Sequence, residues 1–144
     1  RRSPLYTCRD TVTRKQTGSL DREIASAIAR FGQSELLAVV DAGYPLPSDS
    51  TSIDIAVRPN RPRLLDVVET IISELEVESY IVAYEIEDRN DPIRQGLLLL
   101  LPNITARRVP HAEFKAIAAS AKTVVRTGEF TPFGNVILVA GVAF

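Results

Sequence analysis

Apolar residues recur along this chain in two rhythms, one helical and one extended. From Leu20, positions Ile24, Ala27, Ile28 and Phe31 follow helical spacing, with Asp21 as the expected N-cap and Gly32 as the expected C′ residue. Leu36 to Val40 is a continuous apolar run bounded by charge, which suits a strand covered on both faces. Pro45 and Pro47 then hold a loop, and Ile53 to Val57 alternates like a half-buried strand. Pro62 is placed to open a second helix with Leu65, Val68, Ile71, Ile72 and Leu75 on its apolar face. Tyr80 to Ile86 reads as a strand, Pro92 to Leu101 as a helix, and Ile104 to Val109 as a short strand. His111 to Ala121 is helical, with Phe114, Ile117 and Ala118 inward, and Val124 to Arg126 and Val136 to Val142 complete the sheet.

Strands alternating with helices predict an α/β fold, a single-domain αβα sandwich with helices on both faces. No repeat or linker divides it. Arg1 to Arg14 is polar and without period, and is expected to be an N-terminal extension ahead of a domain over 15–144. The chain begins on Arg1 rather than Met, so upstream residues are expected.

Composition narrows the function. The 144 residues are 45% hydrophobic and 24% charged, as in an ordinary globular domain with a real core. Net charge is −1 and no basic stripe interleaves with aromatics, so a nucleic-acid partner is not expected. One cysteine and one histidine are too few for a structural zinc site, and a lone thiol suits a cytoplasmic setting. No run suits a membrane span or a signal peptide. Neither GxGxxG nor GxxxxGK[ST] occurs, nor a His-Glu-x-x-His, so no nucleotide, metal or other cofactor is expected.

Candidate chemistry falls at strand ends. Asp41 closes the Leu36–Val40 run, where ligand sites of open α/β sheets gather. Its carboxylate can accept from ligand hydroxyls or can cap the turn that follows. His111 stands at a helix start, where the positive end of the helix favours a neutral ring able to accept a proton. Lys115 lies four residues on, on the same face, as a cationic hydroxyl donor. The alternative for this pair is an exposed helix-start histidine beside a solvated lysine. Asn135 follows Phe133-Gly134, and its amide can both donate and accept, or simply serve the turn. Arg126 and Glu129 are near enough for a local ion pair.

Three segments carry a resemblance: Val39-Val-Asp-Ala-Gly-Tyr-Pro-Leu-Pro47, Val109-Pro-His-Ala-Glu-Phe-Lys115, and the tail Arg126-Thr-Gly-Glu-Phe-Thr-Pro-Phe-Gly-Asn135 with its apolar strand. From about Lys15 to Phe144 the chain resembles the D-ribose pyranase and L-fucose mutarotase (RbsD/FucU-like) family, closer to the ribose branch. The resemblance implies a cofactor-free isomerase that exchanges cyclic forms of a monosaccharide by acid–base ring opening and closure. It also implies a ring oligomer, a homodecamer or pentamer, with pockets shared between subunits. By that resemblance His111, Asp41 and Gln33 occupy catalytic positions, and Lys115, Phe133 and Asn135 occupy substrate-binding ones. Gln33, in Phe31-Gly-Gln-Ser-Glu35, stands where the family has its acid–base histidine. Phe133 stands where the family usually has tyrosine. Two other outcomes therefore stay open: a family fold repurposed for another sugar-like substrate, or a sugar-binding relative without turnover.

Overall fold

The computed structural model describes residues 17–48, 51–86 and 91–144. The expected extension, Arg1 to Arg14, lies outside the described residues. Ten elements follow in order: α1 (Arg22–Ala29), β1 (Leu36–Val40), β2 (Thr51–Asp54), α2 (Leu64–Ile72), β3 (Val77–Ala83), α3 (Asp91–Leu100), β4 (Thr105–Val109), α4 (His111–Ala118), β5 (Thr123–Arg126) and β6 (Val136–Ala140). The strands form one sheet in the order β2-β5-β1-β6-β3-β4. Neighbours pair in parallel except β6, which runs antiparallel to both β1 and β3. One edge of the sheet therefore gathers the carboxyl ends of five strands and the amino end of β6.

The alternation of side chains across a strand builds two cores. Leu37 and Val39 of β1 face one layer, with Ile24 and Ala27 of α1, Leu64 and Val68 of α2, and Leu97 of α3. Ala38 and Val40 face the other, where Phe114 and Ala118 of α4 cover Ile81, Val124 and Ile137. Helices thus flank both faces, as the apolar patterning requires. Phe114 and Leu37 are among the largest side chains fully removed from solvent.

Local chemistry explains the element ends. Asp21 caps α1, its Oδ1 accepting the Ile24 N–H at 2.9 Å. Such a cap is worth about 1 kcal/mol. Gly32 is not the C′ residue, because the C-cap is Arg30 and C′ is therefore Phe31. The Gly32 N–H instead donates to Glu35 Oε1 at 2.6 Å, and the left-handed residue of this turn is Ser34, with φ 70°. Helix α2 begins at Leu64 rather than Pro62, with Arg63 in the cap position. β2 starts and stops earlier than its alternation suggests. It is recruited by parallel pairing from Thr51 to Asp54 against β5, and Asp54 Oδ1 then accepts the Ala56 N–H and turns the chain. β3 likewise begins at Val77, three residues before the predicted start, because pairing with β6 extends past an irregularity between Val77 and Ser79.

Gly128 sits where the chain leaving β5 meets the 58–62 loop. Its N–H donates to the Pro62 carbonyl at 2.8 Å and its carbonyl accepts the Asn60 N–H at 2.6 Å. A Cβ there would press on the backbone carbonyls of Arg61 and Arg58, which no rotamer change relieves. Gly128→Ala is therefore expected to cost about 1–3 kcal/mol of stability. Thermal unfolding checks it, and an unchanged midpoint would show that the 58–62 loop moves aside freely.

Candidate functional site

The strand ends bring four of the expected residues to one edge of the sheet. Asp41 follows β1, His111 follows β4 and opens α4, and Phe133 and Asn135 precede β6. Asn135 is 2% exposed, and its Oδ1 accepts the Asp41 N–H at 2.7 Å. A buried amide so held cannot turn freely, so Asn135 ties the start of β6 to the end of β1. Asp41 Oδ1 accepts the Gly43 N–H at 3.1 Å and holds the turn after β1. Asp41 thus makes the turn contact while remaining only partly buried.

His111 is set between aromatic rings. The Phe133 ring meets it edge-on at 4.9 Å, and Phe114 stacks with it at 6.2 Å. Phe114 in turn meets Tyr44 edge-on at 6.4 Å, linking the histidine to the loop after Asp41. The backbone N–H of His111 donates to Glu85 Oε1 at 3.2 Å. Nδ1 of His111 is buried and, among the described residues, has no hydrogen-bond partner. Leaving a buried polar ring atom unmatched is costly, which makes His111 the candidate here for a ligand contact.

Burial pushes the Asp41 carboxyl above its ordinary value, against the Gly43 N–H, Asn135 and the nearby His111, which hold it down. The folded state therefore binds that proton more tightly than the unfolded chain. Between the ordinary value of 3.8 and the raised one, stability falls as pH rises, and it stays lower at neutral pH. Asp54 has the opposite sign: its 2.5 Å hydrogen bond to Arg126 holds it below its ordinary value, so its contribution is lost on acidification. Asp41→Asn keeps an acceptor for Gly43 while removing the charge. It is expected to unfold at a higher temperature than the unmodified protein at pH 7, and to lose that advantage below pH 3.8. Paired melting curves at the two pH values cancel the Asp54 contribution, and equal midpoints at pH 7 would show that the charge costs nothing.

A cavity of about 360 Å³ opens beside Asp41, bounded by Ala42, Gly43, Glu129, Phe130, Thr131 and Pro132. Lys115 is exposed and borders a separate hollow of about 220 Å³ with Tyr44, Pro45 and Ala118. Gln33 lies at the opposite edge of the sheet, before β1, in the exposed turn whose Ser34 N–H donates to the Ala140 carbonyl at 2.7 Å. The length of β1 alone separates it from Asp41 by roughly 16 Å. Within one chain, then, Gln33 does not join the other candidates. Its turn is firmly held: Lys122 Nζ bonds Glu35 at 2.8 Å and the Arg30 carbonyl at 2.6 Å, and lies 5.5 Å from the Phe31 ring.

Two features escape the sequence reading. Arg126 and Glu129 do not pair with each other: Arg126 bonds Asp54 and the Tyr44 carbonyl, while Glu129 turns inward. Glu129 is 3% exposed, with its carboxylate between the Leu64 N–H and the Thr131 hydroxyl. The available signal was the polar stretch Thr127-Gly-Glu-Phe-Thr131 between two buried strands, where a carboxylate so placed has little room to reach solvent. Among the described residues no group of three or more potential metal ligands is found, and no helix is long and apolar enough to cross a membrane.

Comparison with known proteins identifies relatives of this fold. The model of the RbsD / FucU transport protein family matches residues 14–143. A D-ribose pyranase from Symbiobacterium thermophilum is 45% identical over 130 residues, covering 90% of this chain and 99% of that protein. One from Thermotoga petrophila is 42% identical with the same coverages. The structure of Bacillus subtilis RbsD complexed with D-ribose superposes with a TM-score of 0.86 at 36% identity, covering 90% of this chain and 99% of that one. The fucose mutarotase of Streptococcus pneumoniae in complex with L-fucose shares the fold, with a TM-score of 0.69 at 18% identity, covering 86% and 94%.

Proposed function

The chain belongs to the RbsD / FucU family, and from that membership we propose that it is a cofactor-independent isomerase exchanging the cyclic forms of a monosaccharide, D-ribose foremost. The observation that carries the proposal is the buried His111 Nδ1 beside Asp41 and Asn135 at the carboxyl edge of the sheet. Ring exchange needs little more than placed proton carriers. A base takes the proton of the anomeric hydroxyl, the C1–O ring bond breaks as the carbonyl forms, and an acid protonates the departing ring oxygen. Closure reverses these steps through another hydroxyl or the other face.

Imidazole can serve both steps. Asp41, with its affinity for protons raised by burial, receives hydroxyl hydrogens. Asn135 and the Phe133 ring hold the sugar by hydrogen bonding and by an apolar face. Lys115 and Gln33 complete the site as polar contacts in this reading, Gln33 coming from a neighbouring subunit of a ring oligomer, a pentamer or decamer. The exposed Phe130, Tyr84 and Phe144 support such self-association. A cytoplasmic site of action accords with a single cysteine in the chain.

Saturation-transfer NMR on the purified protein with D-ribose tests the function. Exchange between pyranose and furanose signals above the uncatalysed rate is expected. Line broadening without exchange would reduce the protein to a sugar-binding one, and neither effect would remove D-ribose as substrate.

A further inference from the structure

We infer that Glu129 is a positioning residue of this site, a buried carboxylate that sets the loop carrying Phe133 and Asn135 against the end of β1. Its two oxygens join two parts of the fold. Oε1 accepts the Leu64 N–H at 3.0 Å, and Oε2 accepts the Thr131 hydroxyl at 2.5 Å. The first contact fills a gap in α2, whose cap residue Arg63 makes no side-chain capping bond. A carboxylate is also favoured at the positive end of a helix. Arg63 adds an ion pair to Oε2 at 3.8 Å from a half-exposed side chain.

The second contact leads into the site. Thr131 offers its carbonyl to the Gly134 N–H at 3.1 Å, closing the turn that holds Phe133 at φ 60°. Asn135 follows directly, and its amide oxygen receives the Asp41 N–H. The backbone of Glu129 meets the same strand end, its carbonyl accepting the Ala42 N–H at 2.8 Å. Packing adds a third link, since a Cβ at Gly134 would lie 3.2 Å from Glu129 Cγ and 2.9 Å from Ile93 Cδ1. The 129–135 segment is thus fixed from α2 on one side and from β1 on the other. Glu129 is the group common to both attachments, and each of its oxygens is engaged by a donor of the protein.

Three variants separate positioning from general stability. Thr131→Val removes the hydroxyl donor and leaves the α2 contact. Glu129→Ala removes both contacts. Glu129→Gln keeps an acceptor for Leu64 and can donate to the Thr131 oxygen. The kinetic readout rests on the ring-exchange proposal, so a sugar-free readout accompanies it: protection of the Asp41 N–H from hydrogen exchange, followed by NMR.

Thr131→Val and Glu129→Ala are expected to lower that protection and to raise KM for D-ribose by roughly 10- to 100-fold, with kcat less affected. Glu129→Gln is expected to restore both. A Thr131→Val protein with a lower thermal midpoint but unmodified Asp41 protection and KM would overturn the inference. If Glu129→Ala does not fold, Thr131→Val alone decides. If the unmodified protein exchanges no sugar, the functional reading fails by itself. Asp41 protection in Thr131→Val then still supports the positioning role when lost and overturns it when retained.

Discussion

His111→Ala is expected to slow D-ribose ring exchange by about 10²- to 10⁴-fold at neutral pH, the usual worth of one acid–base group. The expectation rests on position. His111 opens α4 at the edge where β1 and β6 deliver Asp41 and Asn135, and its buried Nδ1 has no partner among the described residues. The fold should survive the change. The side chain contributes an edge contact to Phe133 and a stack on Phe114, aromatic contacts worth about 0.5–1.5 kcal/mol each. Phe114 stays anchored among Val40, Ile81 and Ile137. Circular dichroism and sedimentation should therefore match the unmodified protein while saturation transfer collapses. His111→Gln sharpens the test, because it keeps a hydrogen bond and removes the proton carrier. Turnover by either variant at the unmodified rate would leave Asp41 as the proton carrier and reduce His111 to a ring in an aromatic stack.

How much of this could be read in advance depends on what each residue answers to. Leu36 to Val40 was legible as a strand from its short length and flanks, and both faces are indeed covered. Asp21 was legible because capping is a local contact three residues long. The limits of β2 and β3 were not, since their partners, β5 and β6, lie about sixty residues or more further along the chain. Asp41, His111 and Asn135 were legible as polar residues at strand or helix ends, yet only the order β1-β6 makes Asp41 and Asn135 neighbours. Glu129 was misread as a local partner of Arg126. Its contact with Leu64 spans 65 positions, and sequence proximity argued for the wrong partner.

Gln33→His combined with Phe133→Tyr should raise the ring-exchange rate, by about 10²-fold or more if a proton carrier returns to a working geometry. The argument starts from what glutamine can do. Its amide can hold a hydroxyl in place but cannot gain or lose a proton near neutral pH. Position 33 is exposed in a turn braced by the Lys122–Glu35 ion pair, so an imidazole there should cost within about 0.5 kcal/mol of stability. Phe133→Tyr keeps the aromatic ring beside His111 and adds a hydroxyl, without altering the left-handed backbone that either residue must adopt. Gln33 lies at the far edge of its own sheet, so the gain requires a neighbouring subunit to carry position 33 into the pocket. The rate should accordingly rise only in the assembled oligomer and fall back on dilution below its dissociation range. A double variant that assembles and exchanges D-ribose no faster would mean that His111 and Asp41 already carry both proton transfers. A double variant that exchanges it more slowly would mean that the pocket already works with glutamine and phenylalanine in place.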